Sequence, residues 1–211
     1  MIRFEDGVPV SERFGDSYYS RADGLRETRY VFLQGNGIGE RPVDHVAELG
    51  FGTGLNLAAL LHAGFEGRFT SFEAYPMAWP DAARALSQWP ELERETEALS
   101  DIWNDLIAGN EKSVSGCSVR IVRGDAFSSL ASWHETADAW ILDGFAPDRN
   151  PDMWSPGLMR AVFERTAPGG TFATYTAAGH VRRALGDAGF EVERVPGPPG
   201  KRHMTKGRRP C

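Results

Sequence analysis

Short apolar runs alternate with amphipathic stretches through residues 44–195. The runs are DHVAELG (44–50), RFTSFEA (68–74), SVRIVRG (118–124), DAWILDG (138–144), GTFATYT (170–176) and EVERV (191–195). Each has the length of a strand. Between them, apolar residues recur at helical spacing and predict helices near 54–63, 79–88, 91–108, 156–166 and 178–188. Strands that alternate with helices imply βαβ units, and right-handed crossovers then place helices on both faces of a mostly parallel sheet.

The punctuation fits this pattern. Ser155 before Pro156 reads as a helix N-cap followed by proline at the first helical position. APGGTF and DAGFEV place glycine where a helix hands over to a strand. PGPPGK (196–200 and Lys201) forces a reversal, after which RHMTK is expected to return as an antiparallel strand beside 191–195, the seventh of the sheet. Residues 1–42 carry Phe4, Phe14, Tyr18, Tyr19, Tyr30 and Phe32, too apolar for a disordered tail. They are read as an N-terminal extension packed on a core of residues 43–211, a single domain overall.

Composition narrows the picture without redirecting it. The 211 residues are 41% apolar and 25% charged, ordinary for a globular protein, and no apolar run reaches bilayer-spanning length. No signal pattern opens the chain, and two cysteines supply neither metal spacing nor a disulfide framework, so a cytoplasmic protein without a metal is expected. The net charge of −6 argues against a generic nucleic-acid binder, yet residues 201–211 hold Lys201, Arg202, Lys206, Arg208 and Arg209 and no acid.

Candidate chemistry gathers at strand ends. AELGFGTGLN follows the first strand and opens a helix, with Gly50, Gly52 and Gly54 at alternate positions and Phe51 and Thr53 between them. The register lacks the third glycine of the dinucleotide fingerprint, since Leu55 stands there, which disfavours a nucleotide-dependent oxidoreductase. An acid, Glu48, precedes the first glycine and suits a cofactor with an ammonium group, such as S-adenosylmethionine. Glu73 closes the second strand, where a carboxylate accepts from ribose hydroxyls. Asp125, followed by Ala126, closes the third and is placed to accept from an adenine amine. Together they point to a class I (Rossmann-like) S-adenosylmethionine-dependent methyltransferase.

Several longer stretches carry a resemblance. GDSYYS, GLRETRYVFLQGNG, ELGFGTGLN, SFEAYP, LDGFAPDRNPDMWSP, PGGTFATYTAAGHVRRAL and AGFEVER resemble the methyltransferase half of the MnmC family of bifunctional tRNA wobble-uridine enzymes and the stand-alone MnmD form of that half. The resemblance implies N-methylation of 5-aminomethyl-(2-thio)uridine at tRNA position 34, with the anticodon stem-loop as partner. It also implies no FAD, because the oxidase half has no counterpart here, and a functional link to a separate oxidase or aminomethyl-uridine-forming enzyme. The family tends to have GFGRKREM where this chain has GPPGKRHM (197–204).

On that reading, Asp143 at the end of the fourth strand is the catalytic acid-base or orienting group, and its plainer role is a loop cap. Phe145 offers a face to a flipped base. Asp16, Tyr19 and Tyr30 are candidates for the uridine pocket, and Arg26, Arg29, Arg182, Arg183, Lys201 and Arg202 for phosphate contact. Asp152 is expected to cap the next helix and Trp154 to pack. The competing functions are methylation of a small-molecule amine and a non-catalytic module that binds tRNA or a partner.

Overall fold

Each of the six apolar runs forms a strand, and the computed structural model describes residues 1–211 throughout. The N-terminal third contains β1 (Ile2–Glu5), β2 (Val8–Ser11), β3 (Asp16–Ser17), α1 (Gly24–Glu27), a π-helical turn (Thr28–Gln34), β4 (His45–Leu49), α2 (Leu55–His62) and β5 (Gly67–Glu73). Then follow α3 (Trp79–Leu86), α4 (Glu93–Ser100), α5 (Trp103–Ile107), β6 (Lys112–Val114), β7 (Cys117–Arg123), α6 (Ala126–Ser132) and β8 (Ala137–Leu142). The chain closes with α7 (Pro156–Glu164), β9 (Thr166–Thr174), α8 (Gly179–Ala188), β10 (Glu191–Pro196) and β11 (His203–Arg208).

The main sheet runs β10-β11-β9-β8-β4-β5-β7-β6. It has eight strands rather than the expected seven, because Lys112–Val114 pairs antiparallel with β7 as a short edge strand. The centre, β9-β8-β4-β5-β7, is parallel. As expected, RHMTK returns antiparallel to residues 191–196; it also pairs with β9, so it lies inside the sheet. Chain direction across the sheet reverses at β4 and β8, and the crevice outside their carboxyl ends is where open α/β sheets bind ligands.

Alternation sorts the core into two layers. Val46 faces a cluster built with α2 and α3–α5, while Ala47 and Leu49 face a second built with α6–α8. All five residues of β4 are buried, as a central parallel strand requires. Residues 1–42 are more than a cover: Leu25, Val31, Phe32 and Leu33 belong to the first cluster, and β1–β3 form a separate small sheet.

Local signals hold in most places. Ser155 caps α7 by accepting from the Leu158 N–H, with Pro156 at the first position. Gly189 ends α8 at φ 119°. APGG, however, lies inside β9 and not at a helix end. The helix expected over 91–108 is broken into a 3-10 turn, α4 and α5. At the break the Ser100 hydroxyl bonds back to the Glu97 carbonyl, a local alternative that competes with helical continuation. Asp152 caps nothing; it sits in a 3-10 turn, and Ser155 takes the capping position. Trp154 packs, with its indole N–H donating to the Phe145 carbonyl.

Candidate active site

Adjacent strands deliver the two halves of the site. Leu49 of β4 is in register with Leu142 of β8, so Gly50 and Asp143 leave the sheet side by side. Gly50 has φ 88°, and a Cβ there would lie 3.1 Å from the Asp143 carbonyl oxygen. The sequence needs glycine here because any side chain would push against the backbone that carries Asp143. Gly54 serves differently. Its Cβ would meet the Trp103 ring at 2.9 Å, so its bare face points into the core and it does not line the cavity. That corrects its expected place in a ligand cradle.

The crevice is a cavity of about 1210 Å³. One small ligand occupies roughly 300–1,000 Å³, so there is room for a cofactor and for the reacting end of a second molecule. Gly50, Phe51, Gly52, Thr53, Glu73, Asp125, Ala126 and Asp143 all line it. Glu73 is held by the Gly52 N–H at 3.1 Å and the Tyr75 N–H at 2.7 Å. Asp125 caps α6, its Oδ1 accepting from the Ser128 N–H at 2.9 Å. Seven carboxyl side chains border the cavity against three basic ones, which selects for cationic ligands and against phosphate in its interior.

Asp143 stands in a hydrogen-bonded frame. Its Oδ1 accepts from the Gly144 N–H at 2.8 Å and its Oδ2 from Asn56 Nδ2 at 2.9 Å. Burial pushes its carboxyl up to about 7, against the lowering effect of those two donors. The same Asn56 nitrogen donates to Glu48 Oε1 at 2.8 Å, and Ser71 Oγ donates to Glu48 Oε2 at 2.5 Å. Glu48 is 0% exposed and does not border the cavity. The expectation that it meets a ligand ammonium therefore fails: the β4 pleat turns it beneath α2, where burial pushes it up to about 8. Tyr175 donates to the Gly144 carbonyl at 2.7 Å and fixes the loop from β9's side.

A model of S-adenosyl-L-methionine-dependent methyltransferases matches residues 90–210, more than half of the chain. The chain belongs to this family. Two curated relatives carry the name tRNA 5-methylaminomethyl-2-thiouridine biosynthesis bifunctional protein MnmC. The one from Marinobacter nauticus is 44% identical over 98% of this chain, and the one from Caulobacter vibrioides is 42% identical over all of it. The chain spans only 36% and 38% of those relatives' lengths. The crystal structure of MNMC2 from Aquifex aeolicus superposes with a TM-score of 0.76 at 23% identity, covering all of this chain and 72% of that one; it bears out the class I fold. The resemblance drawn from the motifs is likewise borne out.

The methyltransferase has residues that fit its cofactor. The glycine turn brings bare backbone to the cavity, and Glu73 keeps lone pairs free beside it for hydroxyl donors. The acid-rich lining suits a sulfonium and an ammonium.

The substrate-side expectations divide. Asp16, Tyr19, Phe145 and Lys201 line the cavity. Asp16 accepts from the Ala146 N–H at 2.9 Å, so it braces the loop after Asp143. Tyr19 packs edge-on against Trp89 at 4.9 Å. Phe145 has one face stacked on Phe14 at 4.7 Å and the Tyr18 ring against it at 5.0 Å, so an aromatic wall stands where a lone ring was expected. Lys201 pairs with Glu27 at 2.7 Å and lies over Tyr175 at 4.2 Å, so its charge already has a carboxylate partner.

Tyr30 is outside the main cavity, beside Arg26 and Arg29 in a shallow recess, and its hydroxyl donates to the Pro196 carbonyl. Arg29 pairs with Glu91. Arg182 donates to the Ala177 carbonyl of its own helix start, and neither Arg182, Arg183 nor Arg202 borders the cavity. Sequence reasoning missed Asn56, Thr28, Glu27 and Tyr175. Asn56 had a signal: it is a lone polar residue within the apolar run LNLAALL.

Proposed function

We propose that this chain methylates the primary amine of 5-aminomethyl-uridine, commonly 2-thiolated, at the tRNA wobble position, giving 5-methylaminomethyl-uridine. The observation that carries the reading is the placement of Asp143 on the wall of the cavity that the glycine turn borders. The names of the MnmC relatives supply the substrate class. The anticodon stem-loop is the macromolecular partner, the cytoplasm the compartment, and a separate oxidase or aminomethyl-uridine-forming enzyme the source of substrate. Residues 43–211 are the methyltransferase domain, and residues 1–42 wall its substrate side.

When bound, the cofactor supplies an electrophilic methyl group on sulfur. The chain's task is to present a neutral amine. An alkylammonium holds its proton to about pH 10.4, so transfer to a carboxylate near 7 costs about 4–5 kcal/mol, whereas transfer to an ordinary aspartate costs about twice that. Burial of Asp143 thus closes half the gap. The Asp143 carboxylate takes the proton as the N–H bond breaks, leaving the lone pair on nitrogen. The amine so presented would take the methyl group in a displacement in which the N–C bond replaces the methyl–sulfur bond and that bond's electron pair stays on sulfur. The product would be a secondary ammonium, and Asp143 would return its proton to water. Gly144 and Asn56 fix the carboxylate, so orientation is set before the substrate arrives. Phe14, Tyr18 and Phe145 form the aromatic wall against which the extruded base packs.

The test is mass spectrometry of wobble nucleosides after incubation of hypomodified tRNA with protein and isotope-labelled cofactor. A labelled methylaminomethyl nucleoside is the expected product. Labelled methyl on any other nucleoside, or none, refutes the proposal.

A further inference from the structure

Glu48 is a buried carboxyl that the proposed mechanism does not use. Its oxygens receive only neutral donors, Asn56 and Ser71, and the charged groups acting on it are the acids Asp143 and Glu73. The Asn56 amide is itself 5% exposed and fully engaged: Oδ1 accepts from Thr28 Oγ1 at 2.9 Å, and Nδ2 donates to Glu48 at 2.8 Å and to Asp143 at 2.9 Å. The opposite flip of the amide would set its oxygen against two carboxyls and its nitrogen against a hydroxyl. The Thr28 hydroxyl, at the start of the π-helical turn, therefore fixes which end faces the acids.

We infer that Asn56 is a positioning residue that joins Glu48 to Asp143 as one proton-holding unit. One amide nitrogen clamps both carboxyls, and Glu48 thereby sets how readily Asp143 accepts the proton of a substrate amine. Because both oxygens accept from a single nitrogen, they stay within the roughly 6 Å over which like charges oppose each other's ionisation. Of the charges around the unit, Lys201 lowers Asp143 and Glu27 raises it, so the pair opposes itself. Asp143 faces Glu27 and Lys201, and those two pair with each other at 2.7 Å. Glu48 faces Asp143 and Glu73. Asp16 and Tyr175 close the remaining side, and Tyr175 stays protonated because its burial and the acids nearby push it upward. Two carboxyls with no free cation hold one proton between them, as coupled sites do. The plainer alternative is that Glu48 and Asn56 only pin α2 to β4.

The catalytic meaning of the unit rests on the amine-methylation reading, but the coupling is a property of the resting protein, so the two fail separately. The experiment is a carboxyl 13C NMR titration of the protein labelled at Asp and Glu, with Asp143 assigned by its loss in Asp143→Asn. In the unsubstituted protein Asp143 is expected to titrate in a broad, two-step curve. Glu48→Gln keeps the contacts, its oxygen facing Asn56 and its amide facing Ser71. There the Asp143 curve should collapse to a single step with a midpoint about one to two pH units lower. Asn56→Leu removes the donor and should move the midpoint upward. In methyl transfer the acid limb of the kcat profile should follow the Glu48→Gln shift, with KM for S-adenosylmethionine unchanged. An Asp143 curve that is the same in the unsubstituted and Glu48→Gln proteins overturns the inference, even if Asn56→Leu fails to fold. A rise in KM for the cofactor alone would return Glu48 to a cofactor-holding role.

Discussion

Glu48→Gln should make the fold more stable, and increasingly so as pH rises. In the native state burial holds the Glu48 carboxyl up near 8, from an ordinary 4.5. A raised acid binds its proton more tightly in the folded chain, so folding is weakened as pH climbs from the unfolded value to the folded one. That span corresponds to about 3–5 kcal/mol, the lower end allowing for the proton shared with Asp143. The glutamine keeps the bonds to Asn56 and Ser71 and carries no charge to bury. For a chain of this size each kcal/mol moves Tm by about 2–4 °C. The variant should therefore match the parent near pH 4 and exceed it by roughly 10 °C near pH 9. Scanning calorimetry across that range, with urea titration at each end, measures it. A Tm difference that stays constant with pH, or a glutamine variant that is the weaker of the two at high pH, would refute the claim that an ionised carboxyl is disfavoured there.

Other expectations follow from the same geometry. Gly50→Ala must hold a left-handed residue at about 1–2 kcal/mol and press on the Asp143 carbonyl; kcat should fall by more than the Tm loss implies, as paired turnover and melting data would show. Asp143→Ala should retain cofactor binding by calorimetry yet lose about 10²–10⁴-fold in tritium transfer, and an active variant would remove it from the chemistry. Ser155→Ala should cost about 1 kcal/mol in urea unfolding through the lost α7 cap, with cofactor affinity unchanged. Binding of tRNA should weaken steeply with salt if phosphates meet Arg26 and Arg29 at the rim; a flat response would clear that face.

The parallel core was legible because its central strands are short, mainly apolar runs and most crossover helices carry their own periodicity; α6, with Ser128, Ser129 and Ser132 among its seven residues, was not anticipated. Lys112–Val114 was not, being three residues with no alternation to read. The strand-end acids Glu73, Asp125 and Asp143 were found because a carboxylate is conspicuous after a buried strand. Glu48 looked alike in sequence but belongs to the strand's interior, and only the pleat direction tells the two cases apart. Contacts between distant segments were out of reach. Thr28 meets Asn56 across 28 positions and Asp16 meets Ala146 across 130, and no local pattern encodes either meeting. For Lys201 the sequence showed that a charge exists, not that Glu27 pairs with it.

The place of β11 has a consequence for biogenesis. It is the last strand in the chain, yet it lies between β9 and β10. A nascent polypeptide emerging from the ribosome completes β9 first, then β10, and neither can be zipped to the other until β11 threads between them. Throughout that interval β9 shows a bare row of amides and carbonyls, the kind of margin to which a foreign strand adds itself. Truncations that clip the final hairpin should accordingly yield inclusion bodies sooner than a merely slower enzyme.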